Sequence, residues 1–228
     1  MHRITKTAVI CLLFFPCSHA AVENDLVITS DKVEFRRKEE TTVFSGNVRA
    51  VYENHRLFAD YMKSSRRAET VYLKGNVRTY YQISSTENYS TSSGFAEYYS
   101  NSKKTVLYGS PGIVYKSSSS EMRITSGRMS FDENNQVMDF TEDVLIKQGN
   151  NKARGARAKY TADNRELHLY SQEDSGPFPT LEYSAAPGDG AETRGKRSVT
   201  FTAREISMYL SENRIVFRER VHGKLETE

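Results

Sequence analysis

Three histidines after residue 20, His55, His168 and His222, are the side chains of this 228-residue chain best suited to acid–base or metal chemistry. They lie far apart in sequence, each beside turn-forming or strand-forming residues. A metal site or a hydrolytic site needs several such groups at ligand or hydrogen-bond spacing. The sequence also contains no phosphate-binding, dinucleotide-binding or nucleophile-elbow glycine motif. We therefore interpret the histidines as surface residues, and we predict a protein that is not an enzyme and binds neither a metal ion nor a cofactor.

The stretch Arg154–Tyr160 (RGARAKY) is the most basic and aromatic run, and such runs can contact nucleic acid. Strand alternation, however, would divide its basic side chains between two faces. The whole chain carries 32 Lys and Arg against 29 Asp and Glu, and it loses Arg3 and Lys6 if residues 1–20 are removed. A net charge this close to zero gives no general attraction to nucleic acid. We predict a solvated strand face here and no nucleic-acid partner.

Residues 1–20 have the pattern of a secretory signal peptide. A basic start precedes the apolar run Ala8–Phe15, and Ser18–Ala20 is similar to a signal-peptidase site. The apolar run is shorter than the ~20 residues of a membrane-spanning helix, so a retained anchor is the weaker interpretation. Cleavage after Ala20 would export the chain and remove both of its cysteines. We predict one domain over residues 21–228 that folds without disulfides.

A ten-residue phrase, VFSGNVRAVY (Val43–Tyr52), is nearly repeated as VYLKGNVRTYY (Val71–Tyr81). Asp31 and Asp60 precede the two glycines by 15 residues and the following valines by 17. One acid per repeat is typical of a turn cap and not of a catalytic pair. The same spacing, with substitutions, leads from Glu97 to Gly112 and Val114, from Gly127 to Val144 and from Arg204 to Val221. With a degenerate unit near Lys159, these anchors predict about six repeated units.

Apolar and polar side chains alternate along each unit, which is the period of a β-strand and not of a helix. Each unit is therefore predicted to be a short strand, a polar turn and a longer strand, with Gly-Asn-Val at a bulge or bend. The strand pairs must fold over so that their apolar faces meet, as in a jelly roll, a sandwich or a solenoid-like stack of two sheets. The positions that fill a closed core or line an apolar groove are Val33, Phe35, Phe44, Val48, Val71, Leu73, Val77, Met129, Phe131, Met138, Phe140, Val144, Ile215, Phe217 and Val221.

Two stretches interrupt the regular spacing and are predicted to be long loops. Residues 84–94 are rich in serine, and residues 171–198 contain three of the five prolines of the chain. The short run Ser117–Ser120 is predicted to be a turn.

Residues Ile28–Tyr81 follow a known pattern: a small residue with Asp, an aromatic strand, a polar turn, F-x-G-N-V, and then A-D at the start of the next unit. In these features the chain resembles the LptA/OstA-like family of periplasmic lipopolysaccharide-transport proteins. The likeness is strong over Ile28–Tyr81 and looser over Ala96–Val144 and Thr200–Leu225. It implies an all-β fold in which repeated antiparallel strand pairs form an open, twisted β-jelly-roll in the periplasm.

The resemblance further implies that the apolar interior shelters acyl chains of lipopolysaccharide or a related glycolipid between two membranes. Sheltering one chain of ~12 carbons from water is worth on the order of 10 kcal/mol. It also implies head-to-tail strand joining, either with a second copy or with components of the inner-membrane transporter complex and the outer-membrane translocon that share the fold. A structural or adhesive β-repeat protein of the envelope stays open as an alternative, as does a membrane-anchored relative in the same pathway.

Overall fold

The computed structural model describes residues 26–118, 120–161, 164–171, 177–184, 197–210, 212 and 214–227. Within these ranges the chain forms 18 β-strands, one short 3-10 turn (Arg37–Glu39) and no α-helix, which confirms the all-β prediction. The strands are β1 (Val27–Thr29), β2 (Lys32–Arg36), β3 (Thr41–Tyr52), β4 (His55–Ser65), β5 (Thr70–Gln82), β6 (Asn88–Tyr99), β7 (Lys104–Tyr108), β8 (Gly112–Lys116), β9 (Glu121–Thr125), β10 (Arg128–Asp132), β11 (Val137–Gln148), β12 (Asn151–Thr161), β13 (Glu166–Tyr170), β14 (Thr180–Ser184), β15 (Arg197–Thr202), β16 (Glu205–Tyr209), β17 (Arg214–Arg218) and β18 (His222–Thr227).

The strands form two half-sheets that share one corner. The long strands β3, β4, β5, β6, β11 and β12 cross this corner, and the short strands end at it. The first half-sheet contains, in spatial order, β2, β3, β4, β5, β6, β7, β10, β11, β12, β13, β16 and β17. The second contains β1, β3, β4, β5, β6, β8, β9, β11, β12, β14, β15 and β18. All neighbours are antiparallel. Each predicted unit supplies two strands to each half-sheet, except that the sixth unit supplies only β18 to the second, where β1, which precedes the first anchor, completes the even number.

The Gly-Asn pair of each opening repeat forms the corner. In β3 the strand register shifts between Ser45 and Val48, and Gly46 and Asn47 both have positive φ angles, of 74° and 47°. The Asn47 side chain donates a hydrogen bond to the Asp31 carboxylate at 2.9 Å. A side chain at position 46 would collide with that carboxylate, because a Cβ there would lie 2.3 Å from its Oδ2. Glycine is therefore required by both the backbone and the neighbouring acid.

The second repeat reproduces this corner. Asn76 donates to the Asp60 carboxylate at 2.9 Å, and a Cβ on Gly75 would again lie 2.3 Å from Oδ2. The predicted bend at Gly-Asn-Val is thus confirmed, and the repeated acids act as corner partners.

Later corners use other residue pairs, which explains why two units lack the glycine. At the fourth unit the roles are exchanged: Gly127 occupies the position of the acid and Glu142 packs against it, so that a Cβ on Gly127 would lie 2.4 Å from Oε2. At the sixth unit the Arg204 guanidinium donates to the Glu219 carboxylate at 3.2 Å. One member of each pair must be small, or the two must carry opposite charges, because the two backbones meet there.

The predicted spacing of the third unit was wrong by three residues. Its corner joins Gly94 to Gly109, with the Gly94 amide donating to the Gly109 carbonyl at 3.1 Å. Glu97 lies instead on the outer face, where it accepts hydrogen bonds from the Tyr99 and Tyr108 hydroxyls at 2.6 and 3.1 Å. Since a three-residue shift is odd, it also exchanges the predicted inner and outer faces of this unit.

Both predicted loops are shorter than expected. Residues 88–94 belong to strand β6, in which Tyr89, Thr91 and Ser93 alternate with outward residues. The second stretch contains β14 and the first residues of β15, while residues 172–176 and 185–196 lie outside the described ranges. Serine-rich composition was misleading here, since serine also occupies strand positions in a narrow interior. The predicted turn at Ser117–Ser120 is confirmed by a backbone hydrogen bond of 2.8 Å.

Candidate functional site

The space between the two half-sheets is the candidate functional site. Its walls are apolar side chains from both half-sheets, which form one hydrophobic cluster. Nine of the predicted inward positions are buried in this interior: Val48, Val71, Leu73, Val77, Met129, Phe131, Met138, Phe140 and Val144. Phe44 and Phe217 pack against the same cluster and are partly buried. The period-two argument therefore placed these residues on the correct face.

The two ends of the interior differ from its middle. Val33 and Phe35 on β2 are 56% and 65% exposed, and Ile215 on β17 and Val221 are 42% and 48% exposed. The register places Val33, Phe35 and Ile215 in line with inward residues of neighbouring strands. They are exposed because β2 and β17 are each paired on one side only among the described residues. The interior is thus packed in the middle and open at both ends.

Several inward residues escaped the sequence prediction. Leu107 and Ile113 of the third unit are 1% and 6% exposed, and the unit had been given the opposite parity. The spacing of 15 residues from Gly94 to Gly109 was the signal that would have found them. The degenerate fifth unit supplies a further buried group: Ala158, Leu167, Leu169 and Leu181. Ile206 and Met208, whose period-two spacing the sequence shows at the start of the sixth unit, are buried as well.

The side of the interior opposite the corner forms a seam between two rows of turns. In the first half-sheet each turn binds the next through the backbone: Arg66 donates to the Glu40 carbonyl at 3.0 Å and Ser100 to the Glu69 carbonyl at 2.9 Å. In the second half-sheet, Gln82 donates to the Asn54 carbonyl at 3.4 Å. These bonds connect turns of the same half-sheet. Among the described residues, none of these backbone hydrogen bonds joins one row of turns to the other.

Five inward side chains line the seam along the second half-sheet, and we call them the aromatic lip: Tyr52, His55, Tyr81, Tyr89 and Tyr115. Each is paired in register with the next across strands β3, β4, β5, β6 and β8. The His55 and Tyr81 rings stack at 4.2 Å, and the Tyr89 and Tyr115 rings lie 4.6 Å apart. All five side chains are partly buried. His55 is therefore not the surface residue that the sequence predicted.

Burial and neighbouring acidic groups shift the pKa values of three lip side chains in favour of their uncharged forms. Burial lowers the pKa of His55, and Glu53 partly offsets this effect. Burial also raises the pKa of Tyr89, and the charge of a deprotonated Tyr160 would raise it further. Tyr160 belongs to the first half-sheet, and both Tyr89 and Tyr160 pack against the same hydrophobic cluster. A hydrogen bond to Glu87, followed by burial, raises the pKa of Tyr115 to about 12.

The other histidines do not form a reactive site. His168 Nε2 lies 2.6 Å from Ser207 Oγ and 3.0 Å from Glu166 Oε1. In a catalytic triad the acid contacts the other ring nitrogen, and Ser207 is fully buried. His222 is exposed. Within the described ranges, no group of three or more His, Cys, Asp or Glu side chains is arranged to hold a metal ion.

The basic run Arg154–Tyr160 lies in β12. The predicted division of its basic side chains between two faces was wrong: the register pairs Arg154, Arg157 and Lys159 with the outward residues Leu145, Thr141 and Asp139. Ala158 is fully buried and Tyr160 packs against the core, whereas Arg154 and Lys159 are exposed. Among the described residues, no helix is both long and apolar enough to cross a membrane.

A family model of lipopolysaccharide assembly, described as LptC-related, matches residues 52–174, which is more than half of the chain. The chain belongs to this LptC-related family. The matched range begins at the end of β3 and extends past β13, so it contains the packed middle of the interior and the aromatic lip. The strands at the two ends, β1, β2 and β14 to β18, lie outside it.

Membership in the LptC-related family assigns the chain to lipopolysaccharide transport, which confirms the resemblance drawn from the repeats. Among solved structures, the chain is similar to LptH of Pseudomonas aeruginosa, described as the LptA-homologous periplasmic component of the lipopolysaccharide transport device. The two share 10% identity over 72% of this chain and 97% of LptH, with a TM-score of 0.33. No curated protein matches the chain. The predicted cleavage after Ala20 falls outside the described residues.

Proposed function

We propose that the interior between the half-sheets holds acyl chains of lipopolysaccharide or a related glycolipid and carries them between the inner and outer membranes. The supporting observation is one apolar surface that continues through all six units and ends at exposed apolar strands on both sides. Burying the acyl chain there removes the free-energy barrier that water imposes. We call this interior the trough. It gives the lipid no preferred direction of movement, so net transport requires an energy source elsewhere.

An acyl chain can enter the packed middle only if side chains move apart. Leu73 and Phe140 have no exposed surface in this structure, so a chain of methylenes must replace their present contacts. The seam is the place where this separation is easiest, because the backbone hydrogen bonds of the turns run along each half-sheet. Opening the seam breaks side-chain contacts and leaves the strand ladders intact.

The ends of the molecule are suited to head-to-tail joining. Each half-sheet has an even number of antiparallel strands, so a second molecule placed end to end would continue the alternation in both halves. Its β2 would follow β17, and its β1 would follow β18. Pairing would cover Phe35 and Ile215 and satisfy the free backbone groups of the edge strands. Components of the inner-membrane transporter complex or the outer-membrane translocon with similar edges would fit in the same way.

Photo-crosslinking in cells tests the lipid-binding proposal. Benzoylphenylalanine at Phe44 or Phe217, which face the interior near its two ends, is expected to form covalent lipid adducts detected by mass spectrometry. The outward positions Lys74 on β5 and Arg218, which follows Phe217 on β17, lie in the same half-sheet, serve as controls and should form few adducts or none. Absence of lipid adducts at Phe44 and Phe217 would contradict the proposal.

The packed middle favours a second candidate, a structural or adhesive β-repeat protein whose interior is simply a core. Such a protein would purify without lipid and would not form concentration-dependent filaments. Size-exclusion chromatography of the chain with and without added lipid extract separates the two candidates. Neither candidate involves catalysis. The lipid carrier would act in the periplasm, and the structural or adhesive protein would belong to the cell envelope.

A further inference from the structure

The side chains of the second half-sheet change in character with depth below the seam. The row nearest the core consists of small or aliphatic groups and threonines, which are at most 6% exposed: Ala50, Leu57, Thr79, Thr91 and Ile113. The next row is the aromatic lip, which is partly buried. The turns beyond it carry acidic and polar residues such as Glu53, Asn54 and Glu87. Polarity thus rises in one direction over about three residues of each strand.

An aromatic row between an apolar layer and a polar layer has a known physical preference. Tyrosine presents an apolar ring and a polar tip, and it concentrates where one end of the side chain is dry and the other is wet. In bilayers, tyrosine occupies the level at which acyl chains meet headgroups. The aromatic lip likewise lies between an apolar layer and a polar layer, here within one half-sheet.

One polar atom of the lip also lacks a partner. His55 Nδ1 is buried and makes no hydrogen bond to a described residue. A buried polar atom without a hydrogen bond is unfavourable, so a ligand that supplies the missing partner binds more tightly.

From this placement we propose that the aromatic lip holds the junction between the acyl chains and the headgroup of the bound amphiphile. The lip selects amphiphiles whose junction carries neutral hydrogen-bonding groups, such as amides, esters or hydroxyls. This inference rests on the proposed function and adds the depth and the orientation of the ligand to it.

The charges near the lip support a neutral junction. The five lip side chains include no Lys or Arg, and burial lowers the pKa of His55. The exposed Arg165, on a turn of the first half-sheet, is a cation close enough to offset part of the raised pKa of Tyr89 and Tyr115. The carboxylates of Glu53 and Glu87 lie on the adjoining turns and disfavour a phosphate at this level. Any anionic group of the headgroup would therefore lie away from these two carboxylates, on the side of Arg165.

Crosslinking at two depths tests the orientation. Benzoylphenylalanine is placed either at Tyr81 or at Thr79, two residues and about 7 Å deeper on the same strand, and the adducts are fragmented by mass spectrometry. We expect attachment close to the headgroup from position 81 and attachment to acyl methylenes from position 79. Attachment to the distal ends of the chains from position 81 would overturn the proposal.

Binding of dodecyl maltoside below its micelle concentration tests the selectivity, with tyrosine fluorescence as the signal because the chain contains no tryptophan. Removing a hydroxyl from the lip with Tyr81→Phe is expected to weaken binding about three- to tenfold. Tyr80→Phe is the matched control, since Tyr80 is the adjacent residue on the outer face and is 45% exposed. His55→Leu should weaken binding as Tyr81→Phe does.

The outcomes distinguish this inference from the proposed function. If benzoylphenylalanine at neither Phe44 nor Thr79 is crosslinked to lipid, the proposal that the interior holds acyl chains is wrong. If both are crosslinked while Tyr81→Phe and His55→Leu bind dodecyl maltoside as the unmodified chain does, the trough stands and the lip has no role in recognition. Circular dichroism of each variant verifies that the fold is retained.

Discussion

The middle and the ends of the interior are built from the same repeat, yet they differ in packing. Leu73 and Phe140 in the middle have no exposed surface, whereas Phe35 and Leu225 at the ends are 65% and 63% exposed. Similar side chains therefore have different environments according to how many neighbouring strands cover them. The buried side chains of the middle stabilise the fold, whereas the apolar side chains at the ends are exposed to solvent.

This contrast assigns the two parts of the proposed function, acyl-chain binding and head-to-tail joining, to different strands. The exposed ends are suited to joining molecules, and the packed middle must yield to an acyl chain if the trough is continuous.

Truncation of a buried ring should show the largest effect. Phe140→Ala removes a fully buried ring and should lower the free energy of unfolding by about 3–5 kcal/mol. Phe35→Ala at the exposed end should change it by less than about 0.5 kcal/mol. Urea denaturation followed by circular dichroism measures both. Equal destabilisation by the two variants would show that the ends are packed in solution as the middle is.

The corner should be the next most sensitive place. Gly149, in the turn between β11 and β12, is the reference position, because its φ is 57° and no atom lies within 4 Å of an added methyl. Gly149→Ala therefore tests the positive φ alone and should lower the free energy of unfolding by about 1 kcal/mol. Gly75→Ala should cost at least about 2 kcal/mol, because the methyl would also displace the Asp60 carboxylate from Asn76. The double variant Gly75→Ala/Asp60→Ala should be more stable than Gly75→Ala alone, because the colliding carboxylate is removed. A cost for Gly75→Ala no greater than that of Gly149→Ala would refute the collision.

Charges placed at the ends should abolish joining without affecting the fold. Phe35→Glu and Leu225→Glu are expected to shift concentration-dependent oligomers to monomers in analytical ultracentrifugation, because a charge would be buried between the joined edges. Lys32→Glu changes charge on the same strand and is the control. If the control dissociates the oligomers as effectively, net charge and not edge pairing controls assembly.

The smallest effect concerns pH at the lip. Because the pKa of folded His55 is lowered, the unfolded chain binds more protons than the folded chain below its ordinary pKa of about 6.5. The contribution of neutral His55 is complete above about pH 6.5 and decreases as pH falls below it. His55→Leu should therefore lose less stability than the unmodified chain between pH 7.5 and pH 5.5, as measured by thermal unfolding. An identical loss in both proteins would mean that His55 is solvated.

Period-two alternation was sufficient to predict the strands and the inward faces of most units. It did not phase the third unit, because Ala96-Glu97 has the small residue and the acid of the opening repeats, whereas the true anchor, Ser93-Gly94, lacks the acid and is indicated in the sequence only by the 15-residue spacing from Gly94 to Gly109. The lip was also missed: Tyr52, Tyr81 and Tyr89 have the inward parity, but their register with His55 and Tyr115 depends on strand pairing across long distances. Exposure at the ends likewise depends on missing neighbours, which a pattern within one strand does not encode.

The central claim is that the packed middle accepts acyl chains, and crosslinking at Leu73 and Phe140 in cells tests it most directly. Benzoylphenylalanine at either position is expected to yield lipid adducts, as at Phe44 near the end of the trough. Adducts at Phe44 and Phe217 with none at Leu73 or Phe140 would contradict the claim, since lipid would then contact the ends without passing between the half-sheets.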